Sequence, residues 1–266
     1  MSNTSTSARQ PPYSVVAEIY DTLMQDVNYE LWSDFIDEIL QVYHEDPHTI
    51  LELACGTGSL SIYMEELECY EITATDKSPD MIRRARAKAR AAGADIRFSV
   101  MDFLDIDLDR KFDAVVSTFD SVNYLHNTWD IVHLLEEVQK VLRPESIFVF
   151  DFTTPRNSRQ AVNILNKEQG ESSGRYRFQR KSRYDPRQRF HYNEFTIEKL
   201  DEKKGKIIER FHEVHTQKIY TLDEMLAIIG ETDYKVLAAL DGFSFDKASN
   251  RSLRITMILQ CPTTQS

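Results

Sequence analysis

An apolar run, Leu51-Glu52-Leu53, passes through Ala54 and Cys55 straight into Gly56-Thr57-Gly58 and then into a helical pattern, and this junction constrains the chain more than any other segment. A strand ending in two closely spaced glycines turns sharply with positive φ, and the missing Cβ atoms leave the backbone open to close approach by a ligand. The first N–H groups of the following helix point out of the turn as free donors. Eight glycines serve 266 residues, and two of them stand here. A plain tight strand-to-helix turn meets the same local demands, so the surrounding pattern has to decide.

That pattern alternates. Short runs rich in β-branched and aromatic residues occupy 49–53, 71–75, 96–100, 114–118 and 147–152,. Helical segments fall between them at 60–68, 79–92 and 129–142, the second opening with Ser78 as N-cap and Pro79 at the first helical position,. The expected fold class is α/β, a doubly wound and mostly parallel seven-stranded sheet of Rossmann-like form. Upstream, residues 13–43 carry the spacing of two helices broken near 26–28.

After Phe152 the alternation stops. Residues 153–174 are polar and poor in large apolar side chains, and period-2 patterns follow at 176–182, 190–200 and 206–220, with turn signals at Asp185-Pro186 and at 202–205,. An inserted antiparallel β cap is expected over 153–220. Thr221 and Glu224 then hold a capping-box spacing that starts a helix stopping at Gly230, and strands at 234–239 and 253–260 return to the main sheet. The expected organisation is a loose tail over 1–12, a ligand-binding domain made of 13–152 and 221–262, and the cap.

Composition narrows the function classes. Acidic residues outnumber basic ones 43 to 32, a net charge of -11 that repels a phosphate backbone unless positive charge is concentrated locally,. Nucleic acid is therefore not the default partner. Three scattered cysteines, Cys55, Cys69 and Cys261, supply neither a disulfide framework nor a four-thiolate zinc site,. No apolar run reaches membrane-spanning length and the N-terminus is polar, so no membrane role and a cytoplasmic setting are expected, with no metal.

Two acids stand where this topology puts ligand contacts. Asp76 ends the second apolar run eighteen residues after Gly58, where a carboxylate accepts hydrogen bonds from ribose hydroxyls,. Asp102 follows the third run and can accept from the exocyclic amine of adenine, between Met101 and Phe103 as faces for the ring. A dinucleotide fingerprint needs a third glycine where this chain has Ser61. The segment from Glu52 to Gly58 instead resembles the first motif of the class I S-adenosylmethionine-dependent methyltransferases, a likeness that extends over residues 13–152 and the C-terminal strands.

The resemblance implies S-adenosylmethionine as cofactor, with Gly56 and Gly58 along the methionine portion, Asp76 on the ribose and Asp102 with Met101 at the adenine. Ala54, Thr57, Lys77, Met81 and Phe103 complete that set, and Glu52 orients the loop. The stretch from Phe119 and Asp120 to Asn123 and Tyr124 would lie over the reacting centre. It lacks the Asn/Asp-Pro-Pro-Tyr motif of enzymes that methylate planar amide or base nitrogens. Upstream, Tyr20, Tyr29 and Trp32 are similar to the N-terminal helices of the glycine N-methyltransferase group, where an aromatic face attracts a sulfonium and excludes water; aromatics at this spacing also serve as core. The departure is Glu145-Ser146, where relatives have a glycine pair.

Two further features carry competing readings. Between Arg175 and Arg189 stand seven basic residues and one acid, Asp185; they are either a solvated strand face or a site for an anionic acceptor or nucleic acid. His126, just past the fourth strand, is the expected general base, with Tyr124 and Asn123 beside it, the alternative being a surface histidine. His212 and His215 differ by three, which on a strand places them on opposite faces and argues against a shared metal. The expectation is thus a methyltransferase acting on a small-molecule acceptor, N-methylation ahead of O-methylation. The alternatives are methylation of RNA or protein through the basic insert, and a non-catalytic cofactor-binding module.

Overall fold

In the computed structural model, which describes residues 10–263, two sheets divide the chain. The main sheet contains β1 (Thr49–Leu53), β2 (Glu71–Asp76), β3 (Arg97–Val100), β4 (Phe112–Ser117), β5 (Leu142–Thr153), β10 (Lys235–Asp241) and β11 (Arg254–Gln260). Its order is β10-β11-β5-β4-β1-β2-β3, with every pair from β5 to β3 parallel and β11 antiparallel to both neighbours. The second sheet, β6 (Gln169–Ser172), β7 (Tyr176–Asp185), β8 (Phe190–Leu200) and β9 (Ile207–Lys218), is a fully antiparallel meander. The chain therefore has the expected α/β, Rossmann-like form.

The parallel strands are apolar on both faces because helices cover both. On one side Ile50, Ile72, Ala74 and Val116 meet α2 (Tyr29–Tyr43), α3 (Ser59–Glu65) and α4 (Pro79–Ala92). On the other, Leu51, Leu53, Phe148 and Phe150 meet α5 (Thr128–Val141) and α7 (Leu222–Ile229). Each fully buried side chain of this size stabilises the fold by roughly 1.5 to 3 kcal/mol. Two caps act as expected, Ser78 accepting from the Met81 N–H and Thr221 with Glu224 forming a complete capping box, and Asn28 caps α2 by accepting from Leu31.

Three segments differ from the sequence reading. Residues 155–165 form α6 (Pro155–Leu165) and 169–172 an edge strand, where an irregular polar stretch was expected. The helix buries only Ser158 among its residues, and it starts at the Thr154 cap with Pro155 in its first turn. The N-terminal pair is one short 3-10 turn (Val16–Glu18), a single helical turn α1 (Tyr20–Leu23), and then α2. Of the expected tail, residues 1–9 lie outside the described residues; Gln10 donates its N–H to the His212 carbonyl at 3.0 Å. Glu145, which stands where relatives have a glycine, takes φ 65 near the start of β5, outside the cavity described below.

The two sheets are bridged by residues 13–24. Val16 and Ile19 bury against Phe178, Phe195 and Ile197 of the antiparallel sheet, while Thr57 and Lys88 of the main domain hold Asp21 at 2.6 Å each.

Gly58 caps α3 at φ 73, and a Cβ there would lie 2.9 Å from the Phe98 ring and 3.1 Å from Ala85. Gly93 has a similar φ, 78, with nothing within 4 Å. Denaturant titration should show Gly58→Ala losing about 2 to 4 kcal/mol and Gly93→Ala about 1, the difference being the overpacking at Phe98. Equal losses would mean that the backbone conformation alone requires Gly58.

Candidate functional site

The C-terminal ends of β1, β2 and β4 open into a cavity of about 680 Å³, roofed by residues 11–14 and Tyr20. Its floor is the glycine turn. Ala54 and Gly56 take φ of 54 and 57, and the Tyr20 ring lies over Gly56, 3.5 Å from where a Cβ would stand. Cys55 N–H donates to the Thr75 carbonyl at 2.9 Å, tying the turn to β2.

Asp76, at the end of β2, accepts from Gly56 N–H at 2.9 Å through one oxygen and from Ser78 N–H at 2.8 Å through the other. Each oxygen keeps a lone pair for a further donor. Burial pushes its carboxyl up, against those two backbone donors. Asp102 accepts from Lys77 Nζ at 2.5 Å and from Leu104 N–H at 3.1 Å, and Met101, Phe103, Lys77 and Met81 line the cavity around it. A nucleoside fits this wall: two carboxylates with spare acceptor capacity, flanked by apolar faces and a turn without side chains.

The other end is aromatic. Tyr13, Tyr20, Tyr29, Phe119 and Tyr124 line it. Burial raises the phenol of Tyr20 well above its ordinary value and that of Tyr29 to about 12, so both are neutral. Beside the turn, Lys88 Nζ donates to Ser59 at 2.8 Å and to Thr57 at 3.0 Å as well as to Asp21.

Of the residues expected from sequence, Tyr20, Tyr29, Glu52, Ala54, Gly56, Thr57, Asp76, Lys77, Met81, Met101, Asp102, Phe103, Phe119 and Tyr124 converge on this cavity. The remaining five stand elsewhere. Gly58 packs under Phe98. Trp32 lies behind Phe119, ring centroids 4.5 Å apart. Asp120 is engaged with Arg254 at 2.6 Å and with Gln217. Asn123 is fully buried and has both ends of its amide occupied, accepting from Thr153 N–H at 2.9 Å and donating to the Lys218 carbonyl at 2.7 Å. His126 is exposed, with Nε2 2.8 Å from the Thr216 carbonyl, so the ring faces the cap's outer edge and not the cavity. The geometry gives neither Asn123 nor His126 a route to a reacting atom, because the Asn123 amide is spent on backbone groups and the His126 ring stands at the cap's edge outside the cavity.

What the sequence reading missed lies on β9. His215 and Glu213 are buried directly behind Tyr124, with His215 Nδ1 3.1 Å from the Tyr124 hydroxyl and Nε2 3.3 Å from Glu213. The same Glu213 accepts the N–H groups of Tyr13, Val15 and Val16. The available signal was the period-2 run Phe211, Glu213, His215, Gln217, one face of a strand turning from apolar to polar.

The basic insert is largely paired internally. Arg175 meets Glu202 at 2.8 Å, Arg177 meets Glu171 at 2.5 Å, Arg180 meets Glu168, and Arg189 meets Glu224. Arg183 stacks on Tyr192 at 3.6 Å. Four of the seven cations are thus opposed by a carboxylate.

Comparison with known proteins agrees with this geometry. Residues 50–145 match the family model described as a methyltransferase domain. A Bacillus subtilis protein, YqeM, whose name assigns it to the methyltransferases, is 28% identical over 244 residues, 91% of this chain and 94% of its own. The crystal structure of an S-adenosylmethionine-dependent methyltransferase from Clostridium acetobutylicum superposes with a TM-score of 0.75 at 24% identity, covering 95% of this chain and all of that one. The sugar N-methyltransferase KedS8 from a Streptoalloteichus species gives 0.72 at 19% identity, over 97% and 98%. These structures share the fold.

Glu52 sits under the glycine turn, bonded to Ser61, and burial raises its carboxyl to about 8. A carboxyl raised in the folded state binds its proton more tightly there than in the unfolded chain, so its contribution to stability is full below the ordinary carboxyl range and is lost as pH rises through about 8,. Glu52→Gln keeps the hydrogen bond without the charge. Thermal unfolding should therefore show a fall in Tm between about pH 5 and pH 8 that is visibly flatter in Glu52→Gln than in the native chain; parallel slopes would mean that Glu52 ionises freely.

Proposed function

We infer that this chain, a class I S-adenosylmethionine-dependent methyltransferase with S-adenosylmethionine as its cofactor, methylates the nitrogen of a small polar acceptor in the cytoplasm. The observation that carries this reading is the roof. Residues 11–14 and Tyr20 close the cavity above the glycine turn, and a volume of about 680 Å³ has to hold both the nucleoside and the acceptor. That leaves room for a small molecule. The paired arginines of the cap argue against a nucleic-acid track, and three free cysteines fit a reducing compartment,.

Asp76 would hold the ribose hydroxyls and Asp102 the adenine amine, with Met101 and Phe103 against the ring and Gly56 admitting the chain that leads to sulfur. The cofactor supplies a methyl group on a positively charged sulfur, open to in-line displacement. The aromatic end of the cavity favours that charge through the faces of neutral Tyr20, Tyr29 and Phe119, and keeps water out. Positioning and desolvation are then the protein's main contribution.

Nitrogen is favoured over oxygen by the groups at that end. The hydroxyls of Tyr13 and Tyr124, 2.6 Å apart, both belong to phenols whose ionisation is driven up by burial. Neither is ionised, and a neutral amine attacks without first losing its proton, which it gives up only afterwards, whereas an alcohol is a poor nucleophile until its proton is leaving. The likeness in fold to a sugar N-methyltransferase supports the same choice.

Calorimetric titration should detect binding of S-adenosylhomocysteine by the native chain, and Asp76→Ala should weaken it roughly 10- to 150-fold, about 1.5 to 3 kcal/mol. A panel of small amines and matched alcohols, including 3-amino-3-deoxy-D-glucose and glycine, incubated with labelled S-adenosylmethionine should yield methylated amines in preference to ethers. Exclusive label on hydroxyl compounds, or on added RNA, would overturn the acceptor reading while leaving the cofactor reading intact.

A further inference from the structure

Tyr124 lies on the 3-10 turn Ser121–Tyr124 and faces the cavity, yet its hydroxyl is also 3.1 Å from His215 Nδ1 on β9. Behind it, His215 Nε2 is 3.3 Å from Glu213 Oε2, and both side chains are sealed from solvent, at 3% and 0% exposure. Histidine and carboxylate packed in this way, end to end behind a cavity-wall hydroxyl, form a continuous line of exchangeable protons. We propose that Tyr124, His215 and Glu213 form a proton relay that removes the acceptor's proton from the cavity during methyl transfer. The proposal rests on the amine-methylation reading above and names the residues that complete it.

The hydrogen bonds fix the direction of the relay. Glu213 accepts from the N–H groups of Tyr13, Val15 and Val16 and from the Ser14 hydroxyl, a donor set that only an ionised carboxylate matches. Burial pushes its carboxyl up, but the His215 bond and the backbone donors outweigh burial and hold it below the usual range. A carboxylate facing Nε2 requires the proton there, which leaves the Nδ1 lone pair toward Tyr124. Tyr124 therefore donates to His215, and its oxygen accepts on the cavity side, from Tyr13 or from the acceptor.

Methyl transfer to an amine forms the C–N bond as the C–S bond breaks, its electron pair staying on sulfur, and the nitrogen is left with one proton too many. That proton passes to the Tyr124 oxygen as the Tyr124 proton passes to Nδ1. No phenolate forms, so the raised ionisation of Tyr124 is no obstacle. The products are a neutral methylated amine, an intact tyrosine and an imidazolium paired with Glu213. The positive charge has moved from the cavity to behind its wall. Other groups bear on this line: Tyr13 stacks its ring edgewise on His215 at 4.5 Å, and the charges of Arg180 on β7 and of Asp120 beyond β4 act in opposite directions on the Tyr124 phenol. His215 and Glu213 act through Tyr124 and are positioning and relay residues, not groups that touch the acceptor.

The test uses the full chain saturated with S-adenosylhomocysteine and labelled with ¹⁵N-histidine. Nitrogen shifts of neutral His215 should give the Nε2–H form with Nδ1 accepting a hydrogen bond. Adding 3-amino-3-deoxy-D-glucose should lower the proton affinity of His215 about threefold or more in the native chain and leave it unmoved in Tyr124→Phe, since an ammonium donating into Tyr124 competes for the same line of protons. With that sugar as substrate, kcat in His215→Gln should drop about 10- to 100-fold with KM within about twofold. Unchanged S-adenosylhomocysteine affinity in His215→Gln shows that the variant is folded and keeps the cofactor reading separate. A proton on Nδ1 of neutral His215, or the same response to the sugar in Tyr124→Phe as in the native chain, overturns the relay whether or not the sugar is turned over.

Discussion

The buried carboxylate of Glu213 is the interaction on which the closed site depends. An ionised side chain with no solvent exposure is tolerated only where every lone pair is matched,, and here the matching donors come from the backbone of residues 13–16 together with Ser14 and His215. Because those N–H groups belong to a short segment with one 3-10 turn and one helical turn, the segment has little structure of its own to hold it,. Its place is set by the carboxylate on one side and by Val16 and Ile19 packed on Phe178, Phe195 and Ile197 on the other. The roof of the cavity is thus an extension of the antiparallel sheet, and the cap contributes to the site by carrying that roof rather than by lining the cavity.

A second buried ion network sets the opposite wall. Phe119 and Asp120 both take left-handed backbone angles, φ 58 and 54, which cost roughly 1 to 3 kcal/mol each for residues with side chains,. Asp151, fully buried in β5, accepts from both of their N–H groups, at 3.2 and 2.5 Å, and Arg254 of β11 lies 2.8 Å from Asp151 and 2.6 Å from Asp120. The strained pair turns the chain at the end of β4 so that Phe119 faces the cavity and Tyr124 follows on the next turn. The antiparallel strand at the sheet's C-terminal end therefore does more than widen the sheet, because its arginine neutralises the carboxylate that holds the strained turn.

The legibility of the site follows from how local each constraint is. The glycine turn, Asp76 and Asp102 were readable because a backbone bend and a strand end each demand particular residue types within a few positions. The α/β alternation was readable for the same reason. The helix at 155–165 was not, since it buries only Ser158 and stands apart from the strand and helix alternation. His126 drew attention by standing next to the fourth strand, yet its ring turns outward to Thr216, and nothing in the nearby residues reports that rotation. The Tyr124 to His215 contact spans 91 residues of sequence. Comparing His215 with His212 asked whether two histidines could share a metal; the informative comparison was with Glu213 and Gln217, which share its face of the strand.

These two buried networks meet at one place, and their meeting explains why polar groups are kept where apolar packing would be simpler. Gln217 of β9 donates to Asp120, so the strand that carries Glu213 and His215 is joined to the strained turn that carries Phe119 and Tyr124. Replacing a buried ion pair by apolar residues often leaves stability unchanged or improved, so stability alone does not account for the arrangement. What an apolar substitute lacks is direction. A carboxylate that accepts from residues 13–16 fixes the roof, a histidine held by that carboxylate fixes the Tyr124 hydroxyl, and a glutamine two residues on fixes the turn from which Tyr124 projects. Alternate residues of one strand thereby set the relative positions of roof, wall and hydroxyl, which is the geometry that an in-line transfer requires.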